Sequence, residues 1–98
     1  MAVVLRSVRA AKDLIEIWHY IAQDNPAAAD RVLLAIERRI DLLTRHPWSG
    51  PSREEFGPGI RNLVSLPYLI LYRVELDGVR IVRVMHGARG IGAGDLVD

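Results

Sequence analysis

The chain has 98 residues, half of them hydrophobic, and 13 basic against 12 acidic side chains leave a net charge of +1. That length suits one domain burying roughly 60–70% of its unfolded-chain surface, and so apolar a composition excludes disorder as a whole-chain state. The absence of cysteine excludes a disulfide framework, a thiolate nucleophile and a Cys-based zinc site, as suits a cytoplasmic protein.

In chain order, the first stretch, Met1 to Leu5, is too short for the apolar core of a signal peptide, and Arg6 follows it at once. No apolar run approaches the roughly 20 residues that span a bilayer. Ala2 to Arg6 reads as a short strand, with Ser7 as N-cap of a first helix. Ala11, Leu14, Ile15, Trp18, Ile21 and Ala22 recur at three- and four-residue spacing, while Lys12, Asp13, Glu16, His19 and Gln23 fall elsewhere. This places Trp18 in the core, where Trp18→Ala would cost roughly 3–5 kcal/mol. Asn25-Pro26 ends this helix and starts the next, asparagine as N-cap and proline at the first helical position. Ala29, Leu33, Ile36, Ile40 and Leu43 form the apolar stripe of the second helix, and Pro47 stops it. So short a link makes the two helices an antiparallel hairpin.

From His46 to Gly59, prolines and glycines mark a loop that Trp48 and Phe56 pin to the body. Ile60 to Leu66 is a strand ended by Pro67. Two β-branched and aliphatic runs, beginning at Tyr68, then flank Asp77-Gly78, the strongest short-range signal for a tight hairpin. With those two residues as the loop, Leu76, Val74, Tyr72 and Ile70 share a sealed face with Val79, Ile81, Arg83 and Met85. Arg83 is the charged exception there. The opposite face carries Leu69, Leu71, Arg73, Glu75, Arg80, Val82, Val84 and His86. The expected fold is α+β: an antiparallel sheet, in β-α-α-β-β-β order, with the helical hairpin packed on one face. The whole chain, 1–98, is expected to be one domain with a flexible glycine-rich tail from about residue 90.

Between Ile60 and Arg89 five arginines face only Glu75 and Asp77, a local excess of +3. Arginine suits bidentate recognition of phosphate or carboxylate, and an ordinary solvated sheet face is the equal alternative. His19, His46 and His86 sit on different elements without metal-binding spacing, so no metal and no cofactor is expected. The Gly90–Gly94 run has no helix behind it to present to a phosphate. The four serines lack a nucleophile motif. His86-Gly87-Ala88-Arg89, at a strand end, is the remaining candidate.

Asp13-Leu14 on the first helix, Asn25-Pro26-Ala-Ala at the second, Pro47-x-x-Gly50, Tyr68-x-Ile-x-Tyr72-Arg-Val and His86-Gly-Ala-Arg89 occur in this order along almost the full chain. In that order and spacing the sequence resembles the ParE/RelE toxin superfamily of type II toxin–antitoxin systems. The resemblance implies a toxin held inactive by a cognate antitoxin. RelE-like members cut mRNA on the ribosome with a basic cluster and a C-terminal tyrosine; ParE-like members poison DNA gyrase. The two RelE-like lysines fall at Ile60 and Asn62, the arginine after the strand tyrosine at Leu69, and the tyrosine near Asp95. Only the last arginine is kept, as Arg89. Cleaving RNA requires cations around the phosphate and a proton relay, which those residues do not supply. The ParE-like branch, with DNA gyrase as target, is therefore the expectation. A ribonuclease built from His86, Arg89 and Arg83 and a non-catalytic binding module are the alternatives. The expected antitoxin- or target-binding residues are Leu69, Leu71, Arg73, Arg80, Val82, Val84, His86 and Arg89. No membrane and no sequence-specific nucleic acid partner is expected.

Overall fold

The computed structural model describes residues 2–87 and Leu96. The elements are β1 (Val3–Arg6), α1 (Val8–Ala22), α2 (Pro26–Leu42), a short 3₁₀ turn (Glu54–Phe56), β2 (Arg61–Ser65), β3 (Tyr68–Glu75) and β4 (Gly78–His86). The sheet order is β1-β4-β3-β2. β2, β3 and β4 pair antiparallel, while β1 runs parallel to β4, so the sheet is mixed. The β1–α1–α2 stretch makes this possible, because a parallel pair needs a long crossover between its strands.

Both helix starts follow the local chemistry of the sequence. The Ser7 hydroxyl oxygen accepts from Ala10 N–H at 2.9 Å and donates its proton to Val82 C=O at 2.8 Å, tying the start of α1 to β4. Asn25 Oδ1 accepts from Ala28 N–H at 3.1 Å, with Pro26 at the first position of α2. The α2 stripe packs as its spacing requires: Ala29, Ile36, Ile40 and Leu43 are buried and Leu33 is half-buried.

α1 differs. Its buried residues are Ala10, Asp13 and Leu14, with Ile17 packed at the core margin. Ala11 and Ile15, expected inside, are exposed, and Trp18 is only half-buried. The helix is turned so that Asp13, on the expected polar side, faces inward. Trp18 lies against α2 and donates Nε1–H to Asp30 at 2.8 Å. Trp18→Ala should therefore cost about 1–2 kcal/mol, a hydrogen bond and partial burial rather than a core aromatic; thermal denaturation of the variant checks it.

The β3–β4 turn is also shifted. Glu75 pairs with Gly78, so the loop is Leu76-Asp77 rather than Asp77-Gly78. Among the described residues no non-glycine has positive φ, so the tight turn that Asp-Gly would form is absent. Gly78 instead opens β4 at φ +148°, where a Cβ would stand 2.2 Å from Val3 O. The glycine serves the close approach of β1.

A bulge between Leu71 and Tyr72, opposite Ile81 and Arg83, adds one residue to β4. Beyond it the facing of β4 is inverted relative to the expected register. Val84, expected on the far face, joins Ile70, Tyr72 and Ile81 under the helices, while Met85 moves to the far face. That far face carries a second small core of Ile60, Leu71, Val82, Met85 and Leu96, against which Phe56 packs. Behind β2, Tyr72 reaches through to the loop, where its hydroxyl accepts from Gly50 N–H at 2.9 Å.

Candidate functional site

A buried ion pair joins α1 to β4. Arg83 Nε and Nη2 donate to the two carboxylate oxygens of Asp13 at 2.7 and 2.9 Å. Val84 N–H adds a third bond to the same carboxylate at 3.0 Å. Asp13 is 7% exposed and Arg83 3%. A bidentate pair with a backbone donor satisfies a buried carboxylate far better than a single contact. Arg83 is thus held in the helix–sheet interface.

Beside this pair a cleft of about 400 Å³ opens between α1 and the end of β4. Ile17, Val84 and Tyr68 give it an apolar floor, and Glu16, Tyr20 and His86 stand at its rim. The His86 ring meets the Tyr68 ring edge-on at 5.5 Å. Burial pushes the Tyr68 hydroxyl above its ordinary value, and Tyr20 adds to the shift, so this phenol stays neutral and can donate a hydrogen bond. The cleft can take an apolar side chain with polar groups around it.

The far face is mixed. Arg73 and Arg80 are half-buried and already engaged, Arg73 Nε with Pro58 C=O at 2.9 Å and Arg80 Nε with Glu75 at 3.1 Å. Two more arginines cover aromatic rings in the loop: Arg53 lies 4.5 Å from the Phe56 centroid and Arg61 5.3 Å from that of Trp48. Arg61 also donates to the carbonyls of Gly50 and Trp48. Phe56 thus pins its loop by packing; Trp48, 64% exposed, does so through Arg61.

The expected binding residues do not form one surface. Leu71 and Val82 are buried in the second core, and Val84 is buried under the helices. His86 lines the α1 cleft, away from Leu69, Arg73 and Arg80. For Val84 and His86 the bulge is the reason; Leu71 and Val82 keep their expected face but are covered by Phe56 and Leu96. Arg89 lies outside the described residues, as do Asp95 and the glycine-rich stretch.

The model of the ParE toxin of type II toxin–antitoxin system, parDE, matches residues 4–91. The chain belongs to the ParE toxin family. Relatives carry both names of the superfamily. Toxin RelE2 of Caulobacter vibrioides is 39% identical over 91% of this chain and 99% of its own. Toxin ParE1 of the same organism is 34% identical over 82% of this chain and 83% of its own. Among solved structures, a chain from a chromosomal ParDE TA system of P. aeruginosa superposes with a TM-score of 0.75, at 26% identity over 88% of this chain and 96% of that one. The chain is thus a toxin of the ParE/RelE superfamily, and membership of a toxin–antitoxin family implies an antitoxin partner.

Two positions to which the sequence resemblance assigns the RelE-type lysines are interior. Ile60 is 0% exposed and Asn62 2%, its Oδ1 accepting from Arg53 Nη1. Leu69, at the third, is half-buried. Sequence reasoning missed Asp13, Glu16 and Tyr20 as members of the α1 cleft. One signal pointed to Asp13: an arginine alone on an apolar sheet face needs a carboxylate, and Asp13 adjoins the apolar stripe of α1.

Proposed function

We propose that this ParE-family toxin acts by binding DNA gyrase and inhibiting it, and that its cognate antitoxin neutralises it by covering part of the toxin's surface. The observation that carries this reading is what fills the positions of the RelE-type cations. Ile60 belongs to a core, Asn62 is buried, and Leu69 is aliphatic. Stabilising the charge that develops on a cleaved phosphate needs preorganised cations beside a proton acceptor. Arg83, the nearest buried cation to His86 in sequence, is committed to Asp13.

A ribosome-dependent ribonuclease is the second reading, favoured by the RelE name of a relative at 39% identity and by His86 at a cleft with two tyrosines. Two assays separate the readings. Purified toxin should inhibit supercoiling by purified gyrase, and induction should leave mRNA uncut on primer extension. Codon-positioned breaks with unimpaired supercoiling would reverse the assignment.

A further inference from the structure

Three segments far apart in the chain meet at the end of the sheet where β3 turns into β4: the start of β1, the loop after α2 and the Leu76-Asp77 turn. Between them lies a cleft of about 340 Å³. Ala2, Pro47, Val74 and Leu76 make most of its lining apolar, and Glu75 and Asp77 supply two carboxylates. Among the described residues no lysine, arginine or histidine lines it. Leu76 is fully exposed, and Trp48, next in the chain to Pro47, is largely so. Turns favour small and polar residues, so the fold itself has no use for a leucine at this tip. Exposed apolar side chains scattered singly are ordinary, but here a leucine walls one side of a cleft and a tryptophan adjoins the other.

Both side chains sit on backbone that is held in place. The Trp48 carbonyl accepts from Arg61 Nη2 at 3.2 Å, and its ring lies against the same guanidinium. Two residues on, Gly50 is fixed from both sides, its N–H donating to the Tyr72 hydroxyl and its C=O accepting from Arg61 Nε at 2.7 Å. Leu76 stands in a two-residue turn closed by the Glu75–Gly78 pair. Anchors ordered beforehand lose little conformational entropy when a partner arrives, and tryptophan is among the residues that carry most of the energy at interfaces. The charge at this end is one-sided. Glu75 accepts from Arg80 at 3.1 Å, whereas the Asp77 carboxylate has no hydrogen-bond or ion-pair partner among the described residues. The uncompensated charge at the cleft is therefore negative.

We infer that this end of the sheet is the surface that docks on gyrase, with Trp48 and Leu76 as its apolar anchors and Asp77 facing a lysine or arginine of the enzyme. This deepens the proposed inhibition of gyrase and rests on it. Charge complementarity carries the choice of occupant. An enzyme that acts on duplex DNA must neutralise phosphates with lysine and arginine, so it presents a basic surface. An acidic, apolar end fits such a surface, while the far face, with Arg73 and Arg80, would meet like charge there. The cleft takes the aliphatic stem of a long basic side chain against Pro47 and Val74, leaving its charged head at Asp77. Gyrase residues around that contact then cover the indole and the leucine.

The test measures binding of the purified full-length toxin to purified gyrase, together with inhibition of supercoiling, for wild type and three variants. Leu76→Ser and Asp77→Lys change exposed side chains, so both should melt within a few degrees of wild type. Each should weaken binding and inhibition by about tenfold or more. The Asp77→Lys loss should shrink as salt is raised, because screening weakens the contact between charges, while the Leu76→Ser loss should persist. Leu34→Ser, an equally mild change at an exposed leucine on α2, should shift neither readout by more than about twofold. Wild-type toxin that inhibits gyrase, with Leu76→Ser and Asp77→Lys matching it, would overturn the docking end and leave the gyrase reading standing. Tighter binding by Asp77→Lys would overturn it too, since the facing surface would then be acidic. Wild-type toxin that neither binds nor inhibits gyrase would overturn both.

Discussion

Replacing Asp13 with alanine should destabilise the protein by about 3–5 kcal/mol, the usual cost of stripping one partner from a buried ion pair. The variant would leave the Arg83 guanidinium, 3% exposed, without its carboxylate, and Val84 N–H without its acceptor. Native domains are stable by only about 5–15 kcal/mol, so this is a large share of the total. Because the desolvation of a charge is the main penalty, a paired replacement, Asp13→Leu with Arg83→Met, should lie much closer to wild type than either single change. Chemical denaturation of the two single variants and the double variant reads this directly. If Asp13→Ala lost less than about 1 kcal/mol, the pair would be solvated in solution and α1 would not be anchored through it.

Gly78→Ala should be the most damaging small substitution. Its methyl would stand 2.2 Å from Val3 O and 3.1 Å from Val3 C, and a backbone φ of +148° disfavours any residue with a Cβ. Neither the β1 main chain nor the residue itself can yield cheaply. Backbone strain and overpacking, at roughly 1–3 kcal/mol each, sum to about 2–5 kcal/mol. The loss should localise to the β1–β4 ladder. Exchange of the Ser7 amide, which bonds Ile81 C=O across that ladder, should accelerate more than that of amides between β2 and β3. Equal acceleration everywhere would mean that the glycine matters for global stability rather than for seating β1.

These two sites also mark the limits of local reading. Ser7 and Asn25-Pro26 located helix starts correctly because a cap acts within three residues of itself. The α2 stripe was legible because nothing polar interrupts its buried face. α1 was misread by a fraction of a turn because it carries apolar residues around most of its circumference. What orients it is Arg83, seventy positions away in the chain. The Asp-Gly pair was read as a turn, while the glycine was needed for the approach of a strand from the other end of the chain.

The candidate surfaces show the same division more sharply. One extra residue in β4 inverts the facing beyond the bulge, so a list of binding residues drawn from strict alternation mixed two faces. Part of the cover of the far-side apolar residues is intramolecular, from Phe56 and Leu96.

By itself, then, the sequence determined the element order, the helix starts, the α2 stripe and the superfamily, because each depends on neighbours within a turn or on the linear order of motifs. Only the tertiary structure decided the rotation of α1, the turn and register of β3 and β4, and the second core. Those depend on contacts between distant segments, where a single buried charge or one bulged residue outweighs local preference.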